Sequence, residues 1–261
     1  MKKTIDICDN RILFNKYSCN SIPSVIFIAG LGDSYETWKK VQDRISQKTS
    51  TFSYNRSGIG RSQVASVPTT CYDLVEELNE LLLALEVEKP YILVGHSFGG
   101  LVARLYASLY PLNISGMVLV DAAPEYKELA YEKVLPENLL AGNREYFENP
   151  MLNSEKIDKI QSYKQIVDHS KQSNLPLTII TRGLPDNGEE GWPSQEILEI
   201  EQRLQAEFQW LSTSSKYRIA SRSGHYIHHD EPEIVIEEIM LMLKEMRECY
   251  PLTAMDIDST Y

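Results

Sequence analysis

Apolar residues in this chain follow two alternating rhythms. Short β-branched and aromatic runs bounded by turn residues read as strands, and stripes recurring every third or fourth position read as helices. Thr4 to Cys8 and Arg11 to Tyr17 are the first strands, with Asp9-Asn10 as a turn signal between them. Ser24 to Ala29 (SVIFIA) suits a strand buried on both faces, and it ends in Gly30-Leu31-Gly32. Asp33 or Ser34 then caps a helix carrying Trp38, Val41 and Ile45, and Thr51 to Tyr54 forms a further strand before the loop NRSGIGRS. Thr70-x-x-Asp73 is a capping box, behind which Leu74, Val75, Leu78, Leu81, Leu82 and Leu85 share one helical face. After Pro90 comes the strand Tyr91 to Val94. A helix with Leu101, Val102, Leu105, Tyr106 and Leu109 follows and stops at Pro111, and the strand Ser115 to Val120 ends at Asp121.

Strands alternating with helices of this length require parallel pairing, which predicts an α/β fold with a mostly parallel, doubly wound sheet. The rhythm breaks over Glu125 to Asn174, which carry no strand signal and read as a small helical insertion. Leu175 to Thr181 restores the strand pattern. A helix from about Ser194 to Leu211, a strand at Tyr217 to Ala220 and a last helix with Pro232 in its first turn complete the chain. Residues 1–124 and 175–249 are thus expected to form the core, 125–174 an inserted cap, and 250–261 a poorly ordered tail.

One glycine-rich junction carries chemistry. In YILVGHSFGGLVARLYA, Gly95-x-Ser97-x-Gly99 lies between a predicted strand and a predicted helix, the context of a nucleophile elbow. Such a turn lifts the Ser97 hydroxyl to the carboxyl edge of the sheet, beside the free N–H groups of a helix start. A serine hydroxyl needs a base. Of the five histidines, His225 follows the last predicted strand at that same edge, and it is the expected base. His96 reads as a packing residue beside the turn and His169 as a surface residue of the insertion. His228 and His229 have no second acidic or thiol cluster near them, so no metal site is predicted, and no cofactor is required.

Composition narrows the partners. With 26 basic and 37 acidic side chains the net charge is −11, which argues against nucleic acid and anionic membranes. The start MKKTIDICDN lacks the apolar stretch of a signal peptide, and no window reaches the length of a membrane span, so a cytoplasmic protein without membrane insertion is expected. Cys8, Cys19, Cys71 and Cys249 are scattered without a C-x-x-C pair and read as free thiols.

Taken together, VIFIAGLGDS, YNRSGIGRS, LVGHSFGGLVARLYA, GMVLVDAAPE, LPLTIITRGLPD and SGHYIHHDEPE resemble the α/β-hydrolase superfamily, in its order and over nearly the whole chain. The resemblance implies an α/β-hydrolase sheet of about eight strands with a helical cap inserted after the sixth, and a Ser–His–acid triad. It also implies an oxyanion hole made by the backbone N–H groups of Phe98 and Leu31. Two positions depart from many relatives: Ala29-Gly30 stands where they have His-Gly, and Asn55 where they have Asp before the arginine of the RxGxGxS loop.

The acid has two candidates. Asp186, after the strand Leu177 to Thr181, occupies the position most of the superfamily uses. Asp121 ends the preceding strand, a position some relatives use, including certain dehalogenases. The balance tips towards Asp121, because a strand-end aspartate in apolar surroundings needs a partner. Serine rather than aspartate at the elbow favours acyl transfer through an acyl-serine over epoxide opening or halide displacement. A carboxylic-ester hydrolase for a small or medium acyl substrate is the expected activity. Thioesterase or acyltransferase, lactonase, amidase or carbon–carbon hydrolase action would use the same residues, and a non-catalytic ligand-binding scaffold is the alternative outside enzymes. Tyr126, Tyr131 and Phe147, with Tyr146, Met151 and Tyr163, could wall the acyl pocket or simply pack the insertion onto the core.

Overall fold

The computed structural model describes residues 2–7, 10–19, 21–60, 68–186, 188 and 190–249. The expected turn residue Asp9, residues 61–67 and the tail from 250 onwards lie outside them. An antiparallel hairpin of β1 (Lys2–Ile7) and β2 (Asn10–Tyr17) opens the chain, and β2 also lies antiparallel to β4 (Thr51–Tyr54). From β4 the pairing is parallel through β3 (Ser24–Ile28), β5 (Tyr91–His96), β6 (Ile114–Val120), β7 (Leu177–Arg182) and β8 (Ser215–Ala220). The eight strands form one sheet in the order β1-β2-β4-β3-β5-β6-β7-β8. After β3 the chain first moves to one side and then returns to place β5 on the other. The crevice between the carboxyl ends of β3 and β5 is therefore the topological switch point, where α/β sheets bind their ligands. There the register pairs Ile28 with Gly95, which brings Gly30-Leu31-Gly32 beside Ser97.

Both faces of the sheet are apolar because strand side chains alternate. Val25, Phe27, Ile92, Val94, Val118 and Val120 face a layer built with α1 (Lys39–Ile45) and α9 (Pro232–Cys249). Ile26, Ile28, Leu93 and Leu119 face a layer built with α2 (Cys71–Ala84) and α3 (Phe98–Leu109). Thr70 starts α2 as its capping box predicts, with the Asp73 carboxylate accepting the Thr70 N–H at 2.7 Å.

The segment between β6 and β7 is helical: α4 (Lys127–Tyr131), α5 (Glu137–Glu148), a 3₁₀ turn at Pro150–Leu152, and α6 (Lys159–His169). Its buried residues Phe147, Ile157, Tyr163 and Ile166 join the same apolar cluster as Leu101 and Leu105 of α3. After β7 comes α7 (Ser194–Ala206), which continues as a 3₁₀ turn at Glu207–Leu211. Two local readings change. The helix expected from Asp33 or Ser34 begins as a 3₁₀ turn, Tyr35–Trp38, whose Glu36 N–H is accepted by Ser34 Oγ. The four-residue α8 (Ile227–Asp230) precedes α9, and one turn is too short to show a helical period.

Candidate active site

Ser97 links β5 to α3 with φ 50° and ψ −122°, a conformation rarely open to a residue with a side chain. Neighbouring backbone holds it there. Its N–H donates to Val120 O at 3.2 Å, and its carbonyl accepts the N–H groups of Gly100 and Ala123, each at 3.0 Å. The flanking glycines are required by close approach: a Cβ on Gly95 would lie 2.6 Å from Gly99 O, and one on Gly99 would lie 2.5 Å from Ala29 O. As first residue of α3, Phe98 has an N–H without a helical acceptor. Among the described residues, no protein acceptor is paired with the N–H of Phe98 or of Leu31.

His225 sits between β8 and α8, at the carboxyl edge that also carries Ser97. Its Nδ1 lies 2.6 Å from Asp121 Oδ2. A carboxylate can only accept, so Nδ1 is the donor, and in a neutral ring that leaves the Nε2 lone pair free to act as a base. Among the described residues, no hydrogen bond joins the Ser97 hydroxyl to that ring.

Asp121 directly follows β6, with φ 41°, and is 1 % exposed. Besides His225, it receives Arg182 Nη1 at 3.1 Å on Oδ2, and the Arg182 N–H at 3.2 Å and Gln205 Nε2 at 3.0 Å on Oδ1. Burial alone would raise its pKa. The His225 hydrogen bond and charge, then Arg182 and Gln205, more than offset this and hold the carboxyl well below the usual carboxylate range. Asp186 touches the histidine differently: its Oδ1 accepts the His225 backbone N–H at 3.3 Å, and its Oδ2 lies 3.0 Å from Arg182 Nη1. Arg182 is thus shared by both carboxylates, and its Nη2 pairs with Glu201 Oε2 of α7 at 2.7 Å. Sequence reading missed Arg182, Gln205 and Glu201. The only available signal was an arginine closing the apolar strand LTIITR.

His96 is fully buried and donates from Nε2 to the His225 carbonyl at 3.0 Å. His228 is fully buried too, stacked on Trp38 at 4.4 Å between ring centroids, with Nε2 2.8 Å from Thr37 Oγ1. Burial first, then neighbouring histidines, lowers the pKa of both rings. His229 is exposed, and His169 meets the Tyr72 hydroxyl at 2.6 Å. Among the described residues, no group of three or more His, Cys, Asp or Glu is arranged to hold a metal ion. The aromatic candidates separate into two places. Tyr126, Phe147 and Tyr163 pack ring against ring at 5.4 to 6.3 Å. Tyr131 instead joins Leu135 and Ile197 and hydrogen-bonds Glu201.

Comparison with known proteins gives this arrangement its family. Residues 23–181 match the family model described as alpha/beta hydrolase fold. The chain belongs to the α/β-hydrolase family. It is 33 % identical over 232 residues to the uncharacterized protein YqjL of Bacillus subtilis, an alignment covering 89 % of this chain and 87 % of YqjL. Among solved structures, a putative lipase of Acinetobacter baumannii superposes with a TM-score of 0.67 at 17 % identity, over 95 % of this chain and 92 % of the lipase. The haloalkane dehalogenase DatA of Agrobacterium tumefaciens superposes with a TM-score of 0.68 at 13 % identity, over 94 % and 97 %. At such identities only the fold is shared, and the fold does not select a reaction. In this α/β-hydrolase the departure at Asn55 has a local role: its Oδ1 accepts the Tyr35 N–H at 2.7 Å, as an aspartate could. Gly30, the glycine shared with those relatives, lies where a Cβ would meet Asp33 Oδ2 and His96 Nδ1, both at 2.9 Å. No described helix is long and apolar enough to cross a membrane.

Proposed function

We propose that this α/β-hydrolase cleaves a small or medium carboxylic ester through an acyl-Ser97 intermediate. The observation that carries the reading is the 2.6 Å contact of His225 Nδ1 with the buried Asp121, at the sheet edge where Ser97 holds its strained turn. His225 Nε2 takes the hydroxyl proton as Ser97 Oγ attacks the ester carbonyl. The resulting oxyanion is met by the N–H groups of Leu31 and Phe98. Collapse expels the alcohol, which receives the proton from His225. Water then repeats the sequence, releasing the acid and freeing Ser97. Throughout, Asp121 remains ionised: it orients the ring and stabilises the imidazolium.

In the same reading, residues 125–174 act as a cap, and Tyr126, which packs against the core members Phe147 and Tyr163, limits the acyl group. The substrate is a small molecule and no cofactor takes part. A fluorophosphonate tests the mechanism, because it should label Ser97 and no other serine, and a folded protein that is not labelled has no activated nucleophile. A series of nitrophenyl esters from acetate to decanoate, run beside thioesters and lactones, tests the substrate class. Faster turnover of a thioester or lactone than of every ester would replace the ester assignment.

A further inference from the structure

The loop that carries Leu31 is held from behind by a buried ion pair. Arg56 and Glu155 are each 2 % exposed. Arg56 Nε donates to Glu155 Oε2 at 2.6 Å, and Nη2 to Glu155 Oε1 at 2.8 Å. The same guanidinium donates through Nη1 to the Ala29 carbonyl at 2.6 Å and through Nη2 to the Gly30 carbonyl at 2.5 Å. Glu155 Oε1 also accepts the Gly32 N–H at 2.7 Å. Three successive peptide planes are therefore gripped by one pair.

Their geometry decides where Leu31 points. In a planar trans peptide the C=O and the N–H face opposite ways. The Gly30 carbonyl is drawn towards Arg56 and also accepts the Asp33 N–H at 3.2 Å. The Leu31 N–H belongs to that same peptide, so it must face away from the ion pair. Rotating this peptide would strip a donor from a buried guanidinium, leaving part of a buried charge unpartnered. The cation behind the Gly30 carbonyl also polarises the peptide and strengthens the donor at its other end.

We propose that the Arg56–Glu155 pair is a positioning device that presents the Leu31 N–H to the oxyanion, so that the inserted segment carrying Glu155 helps to form the site on the sheet. This inference rests on the serine-hydrolase reading. Neither residue touches the reacting atoms, and both act through the peptide planes they hold.

The test uses the isotopically labelled full chain and phenylboronic acid. In the adduct a bond forms between Ser97 Oγ and boron, the hydroxyl proton passes to His225, and boron becomes tetrahedral and anionic. In the wild type, the amide protons of Leu31 and Phe98 should both move downfield. In Glu155→Gln, Phe98 should move without Leu31. Its kcat should fall about 100-fold, the loss of one oxyanion donor, while KM changes less than about threefold, since only transition-state binding is lost. If Glu155→Gln does not fold, the pair Arg56→Gln with Glu155→Gln leaves no unmatched buried charge and is read the same way. A wild-type adduct that shifts Phe98 and leaves Leu31 unmoved would overturn the inference, as would a folded variant with unchanged kcat. Failure of both boronate and fluorophosphonate to modify Ser97 would remove the serine-hydrolase reading, and this inference with it.

Discussion

The ends of β6 and β7 each offer a carboxylate to His225, and they offer it differently. Asp121 has a side chain 1 % exposed and collects four donors, among them the imidazole Nδ1. Asp186 has a side chain 47 % exposed, meets only the histidine backbone and shares Arg182. A buried charge persists only if its hydrogen-bonding capacity is filled, and filling it fixes its position. A carboxylate in water has solvent as a competing partner and no such constraint. Orientation of the His225 ring thus follows the donor set around the carboxylate more closely than the carboxylate's place in the chain.

The largest effect expected is that of Ser97→Ala, which removes the chemistry both carboxylates could serve. Turnover should drop by roughly three to six orders of magnitude, with the thermal midpoint nearly unchanged, and an alanine variant retaining most of its esterase activity would remove Ser97 from the mechanism. Next comes Asp121→Asn, which leaves the shape and takes away the charge. Its kcat should fall about 10⁴-fold, as expected when the ring loses its orienting carboxylate. Asp186→Asn should cost about tenfold or less, near 1.4 kcal/mol of barrier, and the opposite ranking of the two variants would move the acid to Asp186. Gln205→Leu removes one neutral donor from Asp121 and leaves the rest. About 1 kcal/mol of stabilisation should be lost, read as a severalfold fall in kcat, and no change would show that the donor set is redundant.

Acid unfolding separates the two strand ends by a smaller effect. The lowered pKa values of His96 and His228 mean that the unfolded chain binds protons that the folded one refuses. Stability should therefore fall on acidification through the free-histidine range, near pH 6.5, by up to about 1.4 kcal/mol per pH unit for each ring. The lowered pKa of Asp121 acts further down. Its contribution is fully present above about pH 4 and is lost as pH drops towards the depressed folded value. Urea unfolding across this range should show the lower limb shrink in Asp121→Asn and persist in Asp186→Asn. Equal limbs in both variants would erase the distinction between the two carboxylates.

Much of the fold is legible along the chain because its signals are local. SVIFIA, YILV and the run ending at Val120 are uninterrupted apolar strands, and the helical stripes between them force parallel crossovers. The elbow is legible for the same reason: Gly95 and Gly99 stand where a Cβ would strike nearby backbone. Less visible were the 3₁₀ start at Tyr35–Trp38 and the single turn of α8, both shorter than the repeat that would betray them. The aromatic residues of the inserted segment looked alike in sequence, yet Phe147 faces the main core and Tyr131 a separate cluster beside α7.

By itself, then, the sequence determined the strand–helix alternation, the strained serine turn and a histidine at the matching sheet edge, since each follows from steric and periodic rules acting within a few residues. Tertiary structure alone decided which donors surround each aspartate. It also decided that Arg182 lies between them and that Arg56 finds Glu155 across 99 positions. Periodicity records which side of an element is buried. It holds no information about which charged atoms meet once burial has removed water from around them, because that depends on distances between elements far apart in the chain.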